Sequence, residues 1–553
     1  MSERILICVA WPYANGLLHL GHVAGAYLPA DIFARYHRLK GNQVLMVSGS
    51  DQHGTPITIK AEQEGKTPQQ VASRYHQSFL EAWHQLGISF DLFTSTGTQN
   101  HAEVTGDIFL KLLDKGHIYK DVMQQPYCPK CGRFLPDRYV EGTCPLCGYT
   151  QARGDQCDSC GHPMNPTELT LPHCLICAST PVFKESEHFF LRLSAFQDKL
   201  LDWVRKQDHW RSNVRNFTIR YLEDGLKDRA ITRDIDWGVS LPVSGYPDKR
   251  IYVWFEAVIG YLSASKEWAK AGGDAEKWRD FWQGDAKAYY FIGKDNIPFH
   301  SIIWPAMLIG YGDLNLPCDV PANEWMTIES GKFSKSKNWA IWVQDFLSRY
   351  DPDPLRYSIA INMPETSDAD FSWHEFFRRN NDELVATYGN LVHRVLTFVY
   401  RNFDGAVPQP DTRTTELEKT TIDVFNEVDH LLSHCNFKQA LKKAMSLATE
   451  ANRFLDEKSP WKTIKDDRMA AASALYAVLN VINSLKTMIY PFLPFSSKKL
   501  HYYLGFDGQI EDAGWQLSQL KPGQKLKEPE PLFTKLDDKL IETETLHLGE
   551  NHA

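Results

Sequence analysis

The stretch ILICVAWPYANGLLHLGH, residues 5–22, joins a continuous apolar run to a turn of small and polar residues. Residues 5–10 have the length and composition of a β-strand that is buried on both faces. His19 and His22 follow, three positions apart, where the next segment starts. A strand that runs through a glycine-bearing turn into a helix directs backbone N–H groups at an anion. These residues therefore predict a phosphate site in an α/β fold, although two ordinary core histidines are the alternative.

The rest of the chain divides into three parts around this stretch. Residues 44–47 form a second apolar run, and residues 27–40 have helical spacing, which predicts a β-α-β unit. Strand-like runs return at residues 251–254 and 289–292, after a segment at 121–185 that is rich in Cys, Gly, Pro and Asp. Beyond about residue 380 the apolar positions follow helical periodicity, most clearly over residues 437–455. We expect a parallel sheet that is split by an insertion and followed by an all-α bundle.

Length and composition limit the class of protein. The 553 residues are too many for one core, so about three or four domains are expected. The net charge of −9 argues against a protein that coats nucleic acid, without excluding local basic faces. No signal-peptide pattern opens the sequence, and residues 469–485 are uncharged but contain Asn480 and Asn483, as in a buried helix. We expect a cytoplasmic protein that does not contact a membrane.

Cysteine spacing predicts a metal module. Eight of the eleven cysteines form four C-x-x-C pairs: Cys128/Cys131, Cys144/Cys147, Cys157/Cys160 and Cys174/Cys177. In a chain without a leader such pairs favour metal over disulfides, and eight thiolates make two tetrahedral S₄ sites suited to structural Zn²⁺. An iron–sulfur cluster is the other alternative. Complete S₄ sets leave no ligand role for His162 or His173, and spacing alone does not fix how the pairs combine.

Two motifs resemble the signatures of class I aminoacyl-tRNA synthetases. Residues 12–22 resemble the HIGH-type signature, and Lys332-Phe333-Ser334-Lys335-Ser336 resembles the KMSKS loop with Phe in place of Met. Alone, the second motif is a weak signal, because a lysine-rich surface loop is the usual explanation of such a sequence. The resemblance implies that ATP, with Mg²⁺, is bound by Asn15, Gly16, His19, Gly21, His22, Gly293, Asp295, Lys332, Ser334, Lys335 and Ser336. It also implies catalytic roles for His19, His22, Lys332, Lys335 and Arg233, whose alternative role is a structural Arg–Asp pair.

Three further stretches are similar to the methionyl-tRNA synthetase family: SDQHGTP at residues 50–56, YVWFEAVIGY at 252–261 and FIGKDNIPFH at 291–300. Aromatic walls suit an unbranched thioether, because sulfur packs favourably against rings. The resemblance implies a methionine site lined by Trp11, Tyr13, Trp254, Ala257, Tyr261, Phe299, His300 and Trp304, in which Asp51 holds the substrate ammonium group. Ordinary core packing is the alternative for each aromatic residue. Val258 and Asn296 depart from many relatives, which leaves pocket detail open.

The same resemblance extends to the metal module and the helical region. It implies a nested pairing, with Cys144, Cys147, Cys157 and Cys160 on one ion and Cys128, Cys131, Cys174 and Cys177 on the other. It also implies that Asn390, Arg394, Pro460 and Trp461 read the CAU anticodon of tRNA. The alternatives are a solvated helix face for Asn390 and Arg394, and a helix-capping hydrophobe for Trp461.

The resemblance implies an α/β Rossmann-like catalytic domain with a parallel sheet, whose two halves lie at 1–117 and 233–323. Between them it implies a connective insertion at 118–232, with its zinc module at about 126–180. A stem-contact region at 324–380 and an all-α anticodon-binding domain with a C-terminal tail at 381–553 complete the implied fold. The implied function is a monomeric ligase that activates methionine with ATP and transfers it to initiator and elongator tRNA(Met). Two alternatives remain: a class I synthetase for Leu, Ile, Val or Cys, and a zinc-ribbon tRNA-binding protein without catalysis.

Overall fold

The computed structural model describes residues 2–154, 157, 159–160, 164–331, 333, 339–411 and 416–549. Within these residues a five-stranded parallel sheet forms the centre of the N-terminal half. Its strands lie in the order Ala322–Asn323, Lys287–Gly293, Arg4–Val9, Gln43–Ser50 and Leu92–Ser95. Ile5 pairs with Val44 on one side and with Lys287 on the other. The strands predicted at 5–10, 44–47 and 289–292 are confirmed.

Helices cover both faces of this sheet, which is why the central strand is fully buried at residues 5–9. A short α-turn at Leu20–His22 and a π-helical stretch at Val23–Tyr27 lead into the helix Leu28–Leu39, which confirms the helix predicted at 27–40. The other helices around the sheet are Thr55–Glu64, Pro68–Leu86, Gln99–Asp114, Val253–Glu256, Gly260–Ala271, Arg279–Trp282 and Trp304–Tyr311.

The insertion leaves the sheet on a long antiparallel ribbon. Ile118–Cys128 pairs with Val182–Leu191, from Ile118 opposite Leu191 to Tyr127 opposite Val182. The cysteine-rich module at the far end contains the short strands Arg133–Phe134, Val140–Thr143, Ala152–Arg153 and Thr170–Cys174. The chain returns through the helices Gln197–Arg205 and Ser212–Glu223 and the strand Arg229–Ala230.

The strand predicted at residues 251–254 is wrong in its second half. Arg250–Ile251 is extended and pairs with Thr232–Arg233, but the helix Val253–Glu256 begins two residues later. The N–H of Phe255 already bonds the carbonyl oxygen of Tyr252 at 2.9 Å. A short apolar run fits a buried strand and a buried helix equally well, so hydrophobicity alone did not distinguish them.

The C-terminal half is mainly helical, as expected. A small parallel pair, Met326–Ile328 with Ala369–Phe371, precedes it. The helices are Val343–Arg349, Pro352–Ile361, Trp373–Arg378, Asn390–Asn402, Glu416–Ser433, Phe437–Lys458, Pro460–Thr463, Arg468–Ile489, Pro494–Tyr503 and Leu540–Leu546, with a π-helical stretch at Arg379–Gly389. The ring of Phe291, on the strand Lys287–Gly293, lies 6.3 Å from that of Phe437, so the bundle packs directly against one face of the sheet.

The helix Arg468–Ile489 is long and apolar enough to cross a membrane, judged by length and composition. However, 78% of its most apolar window is buried inside the protein. It is the central helix of the bundle and corresponds to the buried helix predicted over residues 469–485.

Candidate active site and metal centres

The two signature motifs meet at His19. The phenyl ring of Phe333 stacks on the His19 imidazole with 4.5 Å between centroids and 10° between planes. The ring of His22 lies 3.8 Å from that of His19. A Cβ at Gly21 would come to 3.0 Å from the His19 ring and 3.2 Å from Phe333, so a larger residue would press on both rings of this stack. Lys332, Ser334, Lys335 and Ser336 lie outside the described residues.

Backbone hydrogen bonds also join residues 341–343, which follow the Lys332–Ser336 motif, to residues 18–20 around His19. The N–H of Leu20 donates to the carbonyl oxygen of Ile341 at 3.2 Å, and the N–H of Val343 donates to that of Leu18 at 2.9 Å. The N–H of His19 donates to Nδ1 of His22 at 3.1 Å, which leaves the proton of a neutral His22 on Nε2. Asn15 and Gly16 lie half-buried in the turn between the first strand and this helix start. These contacts hold two imidazoles at the carboxyl end of a parallel strand, as predicted.

Asp51 directly follows the strand Gln43–Ser50 and lies beside the same turn. Its N–H donates to the carbonyl oxygen of Pro12, and its carbonyl oxygen accepts from Ala14, both at 2.8 Å. The side chain is buried, and Oδ1 accepts the N–H of His53 at 3.1 Å. Burial, followed by the charge of Glu256, raises the pKa of Asp51 well above its usual range. A cation bound here would remove that penalty, because an opposite charge favours the ionised form.

The aromatic residues predicted for the methionine site form two groups, and the first includes Tyr13, whose backbone pairs with Asp51. In the first, Trp254 stacks on Phe299 with 4.2 Å between centroids, and Tyr13 meets Trp254 edge-on at 6.0 Å. In the second, Trp11 meets Tyr261 edge-on at 6.3 Å. Ala257 is buried on the stretch between Trp254 and Tyr261. The structure thus brings together most of the residues predicted for the methionine site.

Trp11 depends on two glycines that the sequence analysis did not single out. A Cβ at Gly49 would lie 2.2 Å from the indole ring, and one at Gly260 would lie 2.7 Å from it. The indole is therefore held between a strand and a helix that are far apart in sequence. No local pattern around either glycine indicates this contact.

His300 is buried and held as a neutral imidazole. Its Nδ1 donates to the carbonyl oxygen of Asn296 at 2.9 Å, so Nε2 accepts the hydroxyl of Tyr261 at 2.7 Å. Burial lowers the pKa of His300 to about 4. Trp304 is fully buried behind this pair, where its indole N–H donates to the hydroxyl of Tyr290 at 2.9 Å.

The resumed half of the sheet carries the remaining predicted residues. Asp295, just after Gly293 and the strand end, accepts the indole N–H of Trp325 at 2.9 Å. The neighbouring Lys294 pairs with Glu324 at 2.7 Å and Asp368 at 2.8 Å. Trp325, Glu324 and Asp368 were not predicted, because they follow none of the motifs.

Arg233 contacts an aromatic ring and two backbone carbonyl groups. Its guanidinium lies 3.7 Å from the Tyr252 ring centroid and donates to the carbonyl oxygens of Ala230 and Thr232. The neighbouring Asp234 pairs with Lys249 at 2.6 Å and His188 at 3.1 Å.

The eight clustered cysteines form two groups of four sulfur atoms in the nested pairing. Cys128, Cys131, Cys174 and Cys177 form one group, and Cys144, Cys147, Cys157 and Cys160 form the other. Sulfur–sulfur distances of 3.4 and 3.9 Å in the first group and 3.6 and 3.9 Å in the second approach the edge of about 3.8 Å expected for tetrahedral zinc with Zn–S bonds near 2.3 Å. Both groups can therefore hold a metal ion. His162 lies outside the described residues, and His173 contacts Glu141 at 3.3 Å.

Local hydrogen bonds favour the thiolate form of Cys128 and Cys144, which is the form that a metal requires. The hydroxyl of Ser179 lies 3.2 Å from Sγ of Cys128 and lowers the pKa of that thiol to about 6. Backbone N–H groups, first that of Cys147, lower the pKa of Cys144 to about 7. The module also contacts the sheet domain, since the Tyr139 hydroxyl donates to Thr58 at 2.8 Å.

Comparison with known proteins identifies the family. The family described as tRNA synthetases class I (M) matches residues 5–396. The chain belongs to the methionyl-tRNA synthetase family. The anticodon binding domain of methionyl tRNA ligase matches residues 407–549, which is the helical region.

Relatives support this assignment over the whole length. Methionine–tRNA ligase of Dehalococcoides mccartyi is 62% identical over 553 residues, covering 99% of this chain and 100% of the relative. That of Thermomicrobium roseum is 52% identical over 579 residues, covering 99% of each. The structure of Mycobacterium tuberculosis methionyl-tRNA synthetase in complex with methionyl-adenylate superposes with a TM-score of 0.80 at 26% identity, covering 96% of this chain and 100% of that one. The chain is thus a class I aminoacyl-tRNA synthetase, a ligase.

The residues predicted to read the anticodon lie on two helices of the C-terminal half, Asn390–Asn402 and Pro460–Thr463. Of these, the second lies within the matched anticodon domain at residues 407–549, and the first precedes it. The guanidinium of Arg394 lies 4.6 Å from the ring centroid of Trp461 and donates to Asn452 at 3.1 Å. Asn390 is exposed one turn earlier on the same helix. Pro460 is buried at the first position of the helix Pro460–Thr463 and presents Trp461 at the second.

Proposed function

We propose that this methionine–tRNA ligase works through the residues that its sequence motifs predict. The carboxylate oxygen of methionine attacks the α-phosphorus of ATP, and the bond to pyrophosphate breaks to leave methionyl-adenylate. A terminal ribose hydroxyl of tRNA(Met), initiator or elongator, then takes the methionyl group and releases AMP. The observation that carries the proposal is the buried carboxylate of Asp51, whose backbone is bonded to Pro12 and Ala14 in the turn between Trp11 and the two histidines.

Asp51 binds the substrate ammonium group, and the aromatic rings bind the thioether. A buried carboxylate with a raised pKa gains most from a cationic ligand, because the ligand replaces the lost hydration of the charge. Neutral His300 and the Tyr261 hydroxyl supply a polar wall, and Trp11, Tyr13, Trp254, Ala257, Phe299 and Trp304 supply the apolar one. Sulfur–aromatic contacts contribute about 0.3–1.5 kcal/mol each, which favours methionine over aliphatic side chains of similar size.

His19 and His22 donate to phosphate oxygens of ATP, which binds with Mg²⁺. Negative charge grows on these oxygens during the transfer, so donors held in place beforehand stabilise the transition state. The nucleotide site on the sheet also includes Asn15, Gly16, Gly21, Gly293 and Asp295. Arg233 is a further catalytic residue in the activation of methionine. Lys332 and Lys335, with Ser334 and Ser336, stabilise the departing pyrophosphate.

Zinc occupies both cysteine groups, and its role is structural. Four thiolates fill the tetrahedral coordination of Zn²⁺, so such a site has no open position for substrate. The bound ion supplies cross-links that a small module with few apolar residues needs to stay folded.

The helical domain reads the tRNA anticodon through Asn390, Arg394, Pro460 and Trp461. An aromatic ring offers a stacking platform, and amide and guanidinium groups read base edges. We further propose that the protein is a cytoplasmic monomer. Its domain boundaries lie after residues 117, 232, 323 and 380.

Amino-acid-dependent exchange of pyrophosphate into ATP, measured across the twenty amino acids, tests the activation step. We expect exchange with methionine at least tenfold above that with leucine, isoleucine, valine or cysteine, as an order-of-magnitude estimate for one or two missing contacts. Equal exchange with another amino acid, or none with methionine, would contradict the proposal.

A further inference from the structure

A buried carboxylate that has no part in the proposed chemistry lies next to the amine site. Glu256 is the last residue of the helix Val253–Glu256 and is fully buried. Both of its oxygens are used: Nδ1 of His53 lies 2.8 and 3.0 Å from them, and Nε2 of His101 lies 3.1 Å from one. An ionised carboxylate only accepts hydrogen bonds, so both histidines donate to it.

The three residues belong to three elements that line the methionine site. Glu256 lies between Trp254 and Ala257, the helix of His101 brings that ring within 6.4 Å of Trp11, and His53 follows Asp51. The backbone N–H of His53 donates to Oδ1 of Asp51 at 3.1 Å. Glu256 therefore links these three elements through its hydrogen bonds to His53 and His101.

The carboxylate of Glu256 is stabilised in its ionised form. Burial acts to raise the pKa of Glu256, but the charge and hydrogen bonds of His53 and His101 outweigh it and the pKa lies below its usual range. Nδ1 of His101 lies 2.9 Å from the hydroxyl oxygen of Ser263, so the network extends to a further helix, Gly260–Ala271. A buried charge held by several partners fixes their geometry, because any displacement leaves it unsatisfied.

We infer that Glu256 is a positioning residue of the methionine site: it holds His53, and through the His53 backbone it holds the carboxylate of Asp51 where the substrate ammonium group binds. The inference rests on the proposed role of Asp51. It assigns Glu256 no contact with substrate. Loss of Glu256 should therefore weaken only ligands that carry the α-amino group. A residue that merely supports the pocket would affect every ligand equally.

The test uses two ligands and calorimetric binding without ATP. Methionine carries the ammonium group, and 4-(methylsulfanyl)butanoate has the same thioether and carboxylate without it. In Glu256→Gln we expect the Kd of methionine to rise about tenfold, the magnitude of one lost charge-assisted hydrogen bond, and that of the butanoate by less than about twofold. The KM for ATP should stay unchanged. Parallel weakening of both ligands, or no weakening of either, would overturn the inference.

Controls keep the outcomes separate. Glu267 is a partly buried carboxylate on the following helix whose oxygens accept the Thr94 hydroxyl at 3.0 Å, and Glu267→Gln should leave both affinities unchanged. If Glu256→Gln does not fold, Glu256→Asp is used, because it keeps the negative charge but places the carboxylate farther from His53. We again expect the Kd of methionine to rise and that of the butanoate to change by less than about twofold. Wild-type protein that binds methionine no better than the butanoate would instead refute the amine role of Asp51.

Discussion

The imidazole of His19 and the ring of Phe333 stack nearly parallel, with 4.5 Å between centroids and 10° between planes. This contact joins the two signature motifs directly, although 313 residues separate them in the chain. Gly21 lies against both rings, and a Cβ there would come to 3.0 Å from His19 and 3.2 Å from Phe333. Phe333 occupies the position at which the family's loop motif has methionine, so the stack depends on a residue that departs from that motif.

Phe333→Ala should lower kcat/KM for ATP about 2- to 13-fold in pyrophosphate exchange, because an aromatic pair contributes about 0.5–1.5 kcal/mol. The Kd of methionine should not change, since the stack lies at the histidine turn. Phe333→Met is the matched control, because a thioether also packs on a ring and should retain most of the activity. An alanine variant with wild-type kcat/KM for ATP would show that the stack has no role in activation.

Asp51→Ala should abolish most methionine activation, because the substrate ammonium group loses its counter-charge. Breaking one side of a buried charge pair costs about 3–5 kcal/mol, a factor of at least a hundred. Pyrophosphate exchange at saturating ATP measures the loss. The exposed carboxylate of Glu103 provides the control, and Glu103→Ala should behave as wild type. Exchange within about twofold of wild type in the Asp51 variant would exclude it as the amine partner, since even one charge-assisted hydrogen bond is worth more.

Replacement of both Cys144 and Cys147 by serine should remove one of two zinc equivalents. The two groups share no ligand, so the site of Cys128, Cys131, Cys174 and Cys177 should keep its ion. Metal analysis of the purified protein gives the stoichiometry, and circular dichroism reports whether the sheet domain stays folded. A wild-type content of one equivalent, or loss of both ions from the variant, would contradict two independent sites.

Ala178→Gly should stabilise the metal module by about 0.5–1 kcal/mol, because a left-handed conformation costs an L-residue more than glycine. Ala178 follows the last C-x-x-C pair with φ of 58°, whereas Gly132 and Gly148 hold the equivalent positions after two other pairs at 68° and 75°. A lower rate of zinc loss to a chelator, compared with wild type, would show that the module is more stable. Ala448→Gly, in the interior of the helix Phe437–Lys458, is the opposite control and should destabilise the protein. Faster zinc loss in Ala178→Gly would refute the strain.

Trp461→Ala should damage tRNA charging while methionyl-adenylate formation stays nearly intact. Loss of one base–aromatic stack costs about 1–3 kcal/mol, roughly a five- to 150-fold drop in tRNA-dependent efficiency. The exposed Tyr502 of the same domain is a matched aromatic control, and Tyr502→Ala should leave charging unchanged. Both assays and a melting curve belong on one preparation. Equal loss in both reactions together with a lowered Tm would mean that Trp461 serves packing.

Much of the fold was predictable because its signals are local. The apolar runs at 5–10, 44–47 and 289–292 are strands because residues buried on both faces of a parallel sheet must be apolar throughout. The run at 251–254 carried the same signal and yet turns into a helix at Val253. Its conformation depends on the pairing of Arg250–Ile251 with Thr232–Arg233, which lies outside the run.

The sequence by itself determined the chemistry: two imidazoles after a glycine-bearing turn, a carboxylate after a second strand, and four thiol pairs. Within each motif the residues stand only a few positions apart, so local spacing carries the information. Only the tertiary structure decided which groups act together. Trp11 lies between Gly49 and Gly260, His19 stacks on Phe333, Glu256 joins His53 to His101, and the sulfur atoms separate into two sets. Each of these contacts joins segments that are distant in sequence, and packing of the whole chain brings them together.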